Sequence, residues 1–245
     1  MMQVWGVTDI GLVRKENQDA YLIRESTASG HTICVVCDGM GGAAGGQVAS
    51  RIATETFTSE LEKVLTPEMT PEQLIAASSY AAALANQAIQ AAAAEREEYK
   101  GMGTTLVAAV TYESGVAVIN VGDSRAYSVK QDGVQQITRD HSLVQMMVAR
   151  GELTPEQART YPGKNLITRA IGTEPVVECD VFHRRLDGGE CLLLCTDGLS
   201  NLVDEQEILF EVVHGINKQS SGQRLLEIAK NRGAPDNVTC VLIQI

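Results

Sequence analysis

The spacing of apolar and polar positions predicts strands near residues 3–8, 19–24 and 31–37, followed by two helices near 44–64 and 72–98. In the second helix Leu74, Ala77, Ala81, Leu84, Ala88 and Ala92 share one face. Small residues on that face let it approach a sheet or a second helix closely. Pro67 and Pro71 divide the two helices. Strands resume at 104–113 and 115–122, with a tight turn expected at Glu113–Gly115, and a hairpin of 124–130 and 134–138 turns at Asp132-Gly133. Residues 142–160 read as two short helices ended by Tyr161-Pro162-Gly163. Strands near 177–185 and 190–196, helices near 204–214 and 222–232, and a last strand near 237–245 complete the pattern.

Hairpins imply antiparallel pairing, and long amphipathic helices need a sheet face to cover. An α+β fold of two stacked antiparallel sheets with helices outside both satisfies every apolar face. No repeat, low-complexity linker or charged tail interrupts the chain, so one domain over residues 1–245 is expected.

Composition narrows the function. The hydrophobic fraction of 44% and charged fraction of 21% are ordinary for a globular protein. No apolar run approaches the ~20 residues that span a bilayer, and MMQVWGVTD lacks the features of a secretory signal, so a cytoplasmic location is expected. A net charge of −11 argues against nucleic acid or an anionic membrane as partner. A phosphorylated substrate would need a site made locally positive by arginine or metal. Of the six cysteines, Cys34 and Cys37 form a C-x-x-C pair within a buried strand. Residues three apart in a strand face opposite ways, so this pair cannot share a metal, and all six are expected to be reduced core residues.

Several aspartates fall at strand ends. Asp38 ends ICVVCD, Asp197 ends CLLLCTD, Asp19 begins DAYLIRE, Asp123 follows VINVG, and Asp236 opens APDNVT. All but Asp19 have a glycine within three residues. Any one of them is explained by ordinary turn chemistry. Together, with only four histidines in the chain, they suit a hard cation with oxygen ligands better than zinc.

Specific strings go further. In order they are Arg14-Lys15-Glu16-Asn17-Gln18-Asp19, Asp38-Gly39-Met40-Gly41-Gly42, Gly103-Thr104-Thr105, Val121-Gly122-Asp123-Ser124-Arg125, Asp140-His141-Ser142, Thr196-Asp197-Gly198-Leu199 and Asp236-Asn237-Val238-Thr239. This series, from residue 6 to 243, closely resembles the metal-dependent Ser/Thr protein phosphatases (the PPM or type-2C family) in their compact bacterial form. The resemblance implies a four-layer αββα sandwich with a small flap near 140–165. It implies Mn²⁺ or Mg²⁺ as cofactor, with two core ions and a third, weaker one. Asp38 would bridge the core ions, with the Gly39 carbonyl on one of them. Asp197 and Asp236 would complete the other ion, Asp19 would act through water, and Asp123 would help hold the third. Arg14 would grip the substrate phosphate. Arg14 and Asp38 are thus the expected catalytic residues. Phosphorylated proteins, a Ser/Thr kinase and its substrates are the implied partners.

The chain departs from parts of the family at Met40, where many members carry a histidine taken as the general acid. Tyr161 stands before the flap proline where many bacterial members have His, and Gln18 replaces the more usual Glu. Three other readings compete. Cys179 to Arg185 fits the Cys-x5-Arg string of cysteine phosphatases, but its strand-like alternation would hold the two ends apart. Gly39-Met40-Gly41 imitates a dinucleotide fingerprint, but helix follows helix rather than strand. A phosphatase-like domain that only binds phosphoproteins would be marked by loss of a bridging aspartate, and each is present. Arg125, His141 and Arg169 are expected to be structural.

Overall fold

The computed structural model describes residues 2–26, 29–112, 115–215 and 217–245. Its strands are β1 (Gln3–Asp9), β2 (Asp19–Glu25), β3 (Thr32–Met40), β4 (Gly103–Thr104), β5 (Leu106–Tyr112), β6 (Gly115–Val121), β7 (Arg125–Lys130), β8 (Gly133–Gln136), β9 (Asp180–Arg185), β10 (Cys191–Cys195) and β11 (Val238–Gln244). The helices are α1 (Gly42–Glu62), α2 (Pro71–Glu95), α3 (Leu143–Ala149), α4 (Pro155–Thr160), α5 (Asp197–Ser200), α6 (Glu205–His214) and α7 (Lys218–Asn231).

One sheet has five strands in the order β1-β11-β10-β7-β8, and the other has six, β2-β3-β5-β6-β9 with β4 added beside β3. Every ladder between them is antiparallel. The period of two in each strand sorts its side chains into separate cores. In β3, Ile33, Val35 and Cys37 pack on Phe57, Leu61, Leu74 and Ile89 of α1 and α2. Cys34 and Val36 face the other way, onto Leu192, Leu194, Val241 and Ile243 of the opposite sheet. Leu193, Cys195, Cys240 and Leu242 then turn outward onto Ile208, Val212 and Leu225 of α6 and α7. Three apolar interfaces make four layers, the expected αββα sandwich. Each buried Leu, Ile or Phe contributes about 1.5–3 kcal/mol by leaving water.

The details depart from expectation in instructive places. The strand expected at 104–113 breaks at Thr105, because the facing Asp38 N–H donates to the Thr105 hydroxyl (2.9 Å) rather than to its carbonyl. On α2 the buried stripe is Leu74, Ser78, Ala81, Ala82, Ala85, Asn86 and Ile89, rotated from the expected face so that Leu84 and Ala88 are only half-buried. Asn86 explains the rotation. Its Oδ1 accepts the Gly172 N–H (2.6 Å) and its Nδ2 donates to the Glu174 carbonyl (2.9 Å), so the helix must turn this amide inward to hold the 172–174 loop. α2 also stops at Glu95 rather than 98, and α7 starts at Lys218, four residues early, capped by Asn217, whose Oδ1 accepts the Ser220 N–H. β9 begins only at Asp180. The turn expected at Glu113–Gly115 lies largely outside the described residues. Among those described, no helix is long and apolar enough to cross a membrane.

All six cysteines are free, and five are buried, while Cys179 is only half-buried. Burial pushes the Cys179 thiol up to about 11 and the thiols of Cys34, Cys37 and Cys195 higher still. Alkylation of the native protein is therefore expected to reach Cys179 alone, and slowly, since the thiolate is the reactive form. Mass spectrometry before and after unfolding checks this, and a second label on the native protein would place another thiol at the surface. The segment ending at Arg185 runs as strand β9, so Cys179 and Arg185 do not close around a common point.

Candidate metal centre

Strand pairing starts the site. In the β2–β3 ladder Asp19 lies directly opposite Asp38, so two carboxylates sit side by side at the end of the six-stranded sheet. Asp38 is locked through its backbone. Its N–H donates to Thr105 Oγ1 (2.9 Å), and its carbonyl accepts from the Thr105 N–H (2.9 Å) and Thr104 Oγ1 (2.8 Å). Thr105 Oγ1 in turn shares a hydrogen bond with Ser124 Oγ (2.7 Å), next to Asp123 on the turn from β6 to β7. The Thr-Thr and Asp-Ser strings are thus parts of one clamp that fixes where the Asp38 carboxylate points.

The other sheet supplies the remaining acids. Asp197 opens α5 directly after β10, and its Oδ2 accepts from Asn201 Nδ2 (3.0 Å). The backbone crowds here: a Cβ at Gly198 would stand 1.9 Å from the Asn237 carbonyl, and one at Gly39 would stand 2.0 Å from the Gly46 carbonyl. Only glycine allows either approach. Asp236 stands two residues before β11, and its Oδ2 accepts from Arg14 Nη2 (2.8 Å). Asn237 ties Arg14's loop in place, accepting the Gln18 N–H (2.8 Å) on Oδ1 and donating from Nδ2 to the Ile10 (2.9 Å) and Glu16 (3.0 Å) carbonyls. Asp19 is held from the opposite sheet, its Oδ2 accepting from Thr196 Oγ1 (2.9 Å) and Thr239 Oγ1 (2.7 Å).

The electrostatics are those of a cluster short of positive charge. Burial, then Asp19, Asp197, Asp123 and Asp236, hold the Asp38 carboxyl well above the usual range. Burial pushes Asp19 up to about 7, against the pull of its two threonine hydroxyls, and pushes Asp123 up to about 7 with help from Asp197 and Asp140. Burial and Asp236 also raise Asp197. The Arg14 guanidinium, raised by its hydrogen bond to Asp236, is half-exposed and answers only one of these acids directly.

Sequence reasoning named the aspartates, Gly39 and Arg14, and the fold brings them to one end of the two sheets. Among the described residues no three acidic, imidazole or thiol groups are already drawn together closely enough to hold an ion. The fit to a cation rests on other features. Asp19 Oδ1 is buried without a hydrogen-bond partner, and the available donors are all oxygen. Five acids crowd one another with a single nearby guanidinium bonded to them. Hard divalent cations suit such a set. The roles of the threonines and Asn237 leave no periodic signal in the sequence, because their hydrogen bonds join residues far apart along the chain.

Arg125, His141 and Arg169 form a frame beside the acids. Arg125 clamps Asp140 in bidentate fashion (Nε–Oδ1 3.0 Å, Nη2–Oδ2 2.7 Å). His141 Nδ1 accepts the Gly122 N–H (3.1 Å), which leaves Nε2 to face Asp180 Oδ2 at 3.3 Å. Arg169 donates to Asp180 Oδ1 (2.9 Å). Their partners are structural, as expected, and hold the turn that carries Asp123.

Comparison with known proteins gives the family. The family described as Protein phosphatase 2C matches residues 13–230. The serine/threonine phosphatase stp of Listeria innocua is 36% identical over 237 residues, covering 97% of this chain and 93% of that protein. The crystal structure of the serine/threonine phosphatase Stp1 from Staphylococcus aureus superimposes with a TM-score of 0.93 at 37% identity, covering 100% of this chain and 95% of the other. The catalytic domain of the phosphatase PstP, solved in complex with two manganese ions, gives a TM-score of 0.85 at 33% identity over 99% of this chain and 97% of the other. The chain belongs to the protein phosphatase 2C family, whose members are metal-dependent serine/threonine protein phosphatases.

Proposed function

We propose that the 245 residues form one catalytic domain that hydrolyses phosphoserine and phosphothreonine in proteins, using the acid cluster to hold Mn²⁺ or Mg²⁺. The observation that carries this reading is the meeting of Asp19, Asp38, Asp123, Asp197 and Asp236 from both sheets, with a buried carboxylate oxygen of Asp19 left unpartnered. Asp38 would serve both core ions with the Gly39 carbonyl beside it, Asp197 and Asp236 would complete the second, and Asp19 would act through water. Asp123 would support a third, weaker ion. Bound cations would supply a water acidic enough to attack at neutral pH and would neutralise charge on the phosphoryl oxygens.

The chain's own residues do the rest. Arg14 presents a planar fork of N–H donors that matches two phosphoryl oxygens, and its hydrogen bond with Asp236 keeps that fork at the mouth of the cluster. The attacking water forms a bond to phosphorus, the bond to the Ser or Thr oxygen breaks, and that oxygen takes up a proton. Met40, at the end of β3, has no proton to give it. The biological reading is opposition, in the cytoplasm, to a Ser/Thr kinase and its substrates.

The test is hydrolysis of phosphoserine, phosphothreonine and phosphotyrosine peptides with and without Mn²⁺. Turnover of the first two that needs the ion is expected, and full turnover in excess chelator would contradict the reading. Asp123→Ala is expected to slow phosphothreonine peptides more than nitrophenyl phosphate, because an alkoxide needs a proton to leave and a nitrophenolate does not. Calorimetry on the same variant should still find the two tight ions, since Asp123 stands on a separate turn. Their loss would place Asp123 in the core set.

A further inference from the structure

Helix α3 leaves a cleft of about 310 Å³ against the start of β9 and the segment after β8, whose lining includes Arg139, Arg150, Arg169, His141, Gln145 and Met146. Its two acids are already engaged: Asp140 by Arg125, and Asp180 by Arg169 and His141. Arg139 has no ion pair among the described residues, and Arg150 reaches only Glu152, at 4.0 Å with both side chains exposed. In a protein of net charge −11, unspent positive charge gathered in one cavity is a local reversal of the general field. The cavity also adjoins the acid cluster, because the ring of His141 accepts the N–H of Gly122, the residue before Asp123.

We propose that this cleft is a subsite for an acidic side chain, Asp or Glu, that flanks the phosphorylated residue in the protein substrate. The proposal rests on the reading of the acid cluster as the catalytic site. A carboxylate entering the cleft meets Arg139, which has no ion pair among the described residues, and Arg150, held only by the long, exposed contact to Glu152, while its methylenes lie along half-exposed Met146. Nothing in the cleft must be broken to admit it, since Asp140 and Asp180 keep their own partners. Because both arginines are exposed, the gain is modest and falls with salt.

The test compares phosphothreonine peptides that differ only in Glu or Gln at positions before and after the phosphorylated residue. The wild-type protein is expected to favour the best-placed Glu peptide by roughly five- to tenfold in kcat/KM at low ionic strength, mainly through KM. The Arg139→Ala/Arg150→Ala double variant, with its Tm checked, should lose that preference while its kcat and its KM for the Gln peptides and nitrophenyl phosphate stay put. Equal treatment of Glu and Gln peptides by the wild type would overturn the proposal, as would equal losses on both in the variant. Inorganic phosphate, used as inhibitor of nitrophenyl phosphate hydrolysis, separates a free anion from a peptide side chain. Equal inhibition of wild type and variant is expected, and weaker inhibition of the variant without any peptide preference would assign the cleft to free phosphate. Absence of turnover on every peptide would strike at the catalytic reading itself, and the subsite would fall with it.

Discussion

Asp38→Asn is expected to lower kcat by more than about 10³, beyond the cost of removing a single positioned donor from an active site. The proposed role makes this the most damaging change in the cluster, since one carboxylate there would serve two ions. The same substitution should make the metal-free protein more stable. Burial and four neighbouring acids hold the Asp38 carboxyl far above its ordinary range, so keeping it ionised near neutral pH costs the folded state free energy. A neutral amide of the same shape removes that cost, and Tm in chelator should rise by on the order of 4 °C. A variant that is inactive but also much less stable would mean that Asp38 is chiefly a structural residue. Retained activity would remove it from the centre of the site.

Metal removal is the second large effect. Chelation should abolish turnover, and Mn²⁺ or Mg²⁺ should restore it. The ion should also stabilise the fold, because the unfolded chain does not hold these acids together. At about a hundred times its dissociation constant an ion contributes about 2.7 kcal/mol, or roughly 5–10 °C in Tm for a chain of this size. Thermal melts with increasing Mn²⁺ read this without any substrate. A flat Tm across the titration would mean that the acids do not take up the ion, whatever the activity assay shows. With Asp38→Asn the rise should shrink, which ties the two predictions to one set of residues.

Much of this was legible in the chain. Strands β3 and β10 announce themselves as apolar runs, and each delivers an aspartate at its end, so the acids could be named from position alone. The order of hairpins and long helices leads to two sheets with helices outside, because that arrangement covers every apolar face. What could not be read depends on contacts across the fold. Asn86 looks like a polar interruption of an apolar stripe until the 172–174 loop is seen on it. Thr105 looks like any strand threonine, yet its hydroxyl takes the Asp38 N–H that a continuous ladder would give to its carbonyl, and the strand splits in two. α5 spans only four residues, too few for helical periodicity, although it is the element that turns Asp197 into the site. The basic cleft was hidden for the same reason, since Arg139, Arg150 and Arg169 meet only when the flap folds back.

The place of β11 has a consequence for how the protein is made. β11 lies between β1 and β10, and among the described residues it is the only strand paired with β1. It carries Thr239, which holds Asp19, and follows Asn237, which holds the loop of Arg14. A ribosome makes these residues after every other strand of the two sheets. Until then β1 has no strand to pair with, and Asp19 lacks the Thr239 hydroxyl that holds it. Such a pairing, between residues more than two hundred positions apart, is slow to form and closes the fold late. A truncation before Asp236 is therefore expected to yield an inactive chain whose β1 has no strand partner.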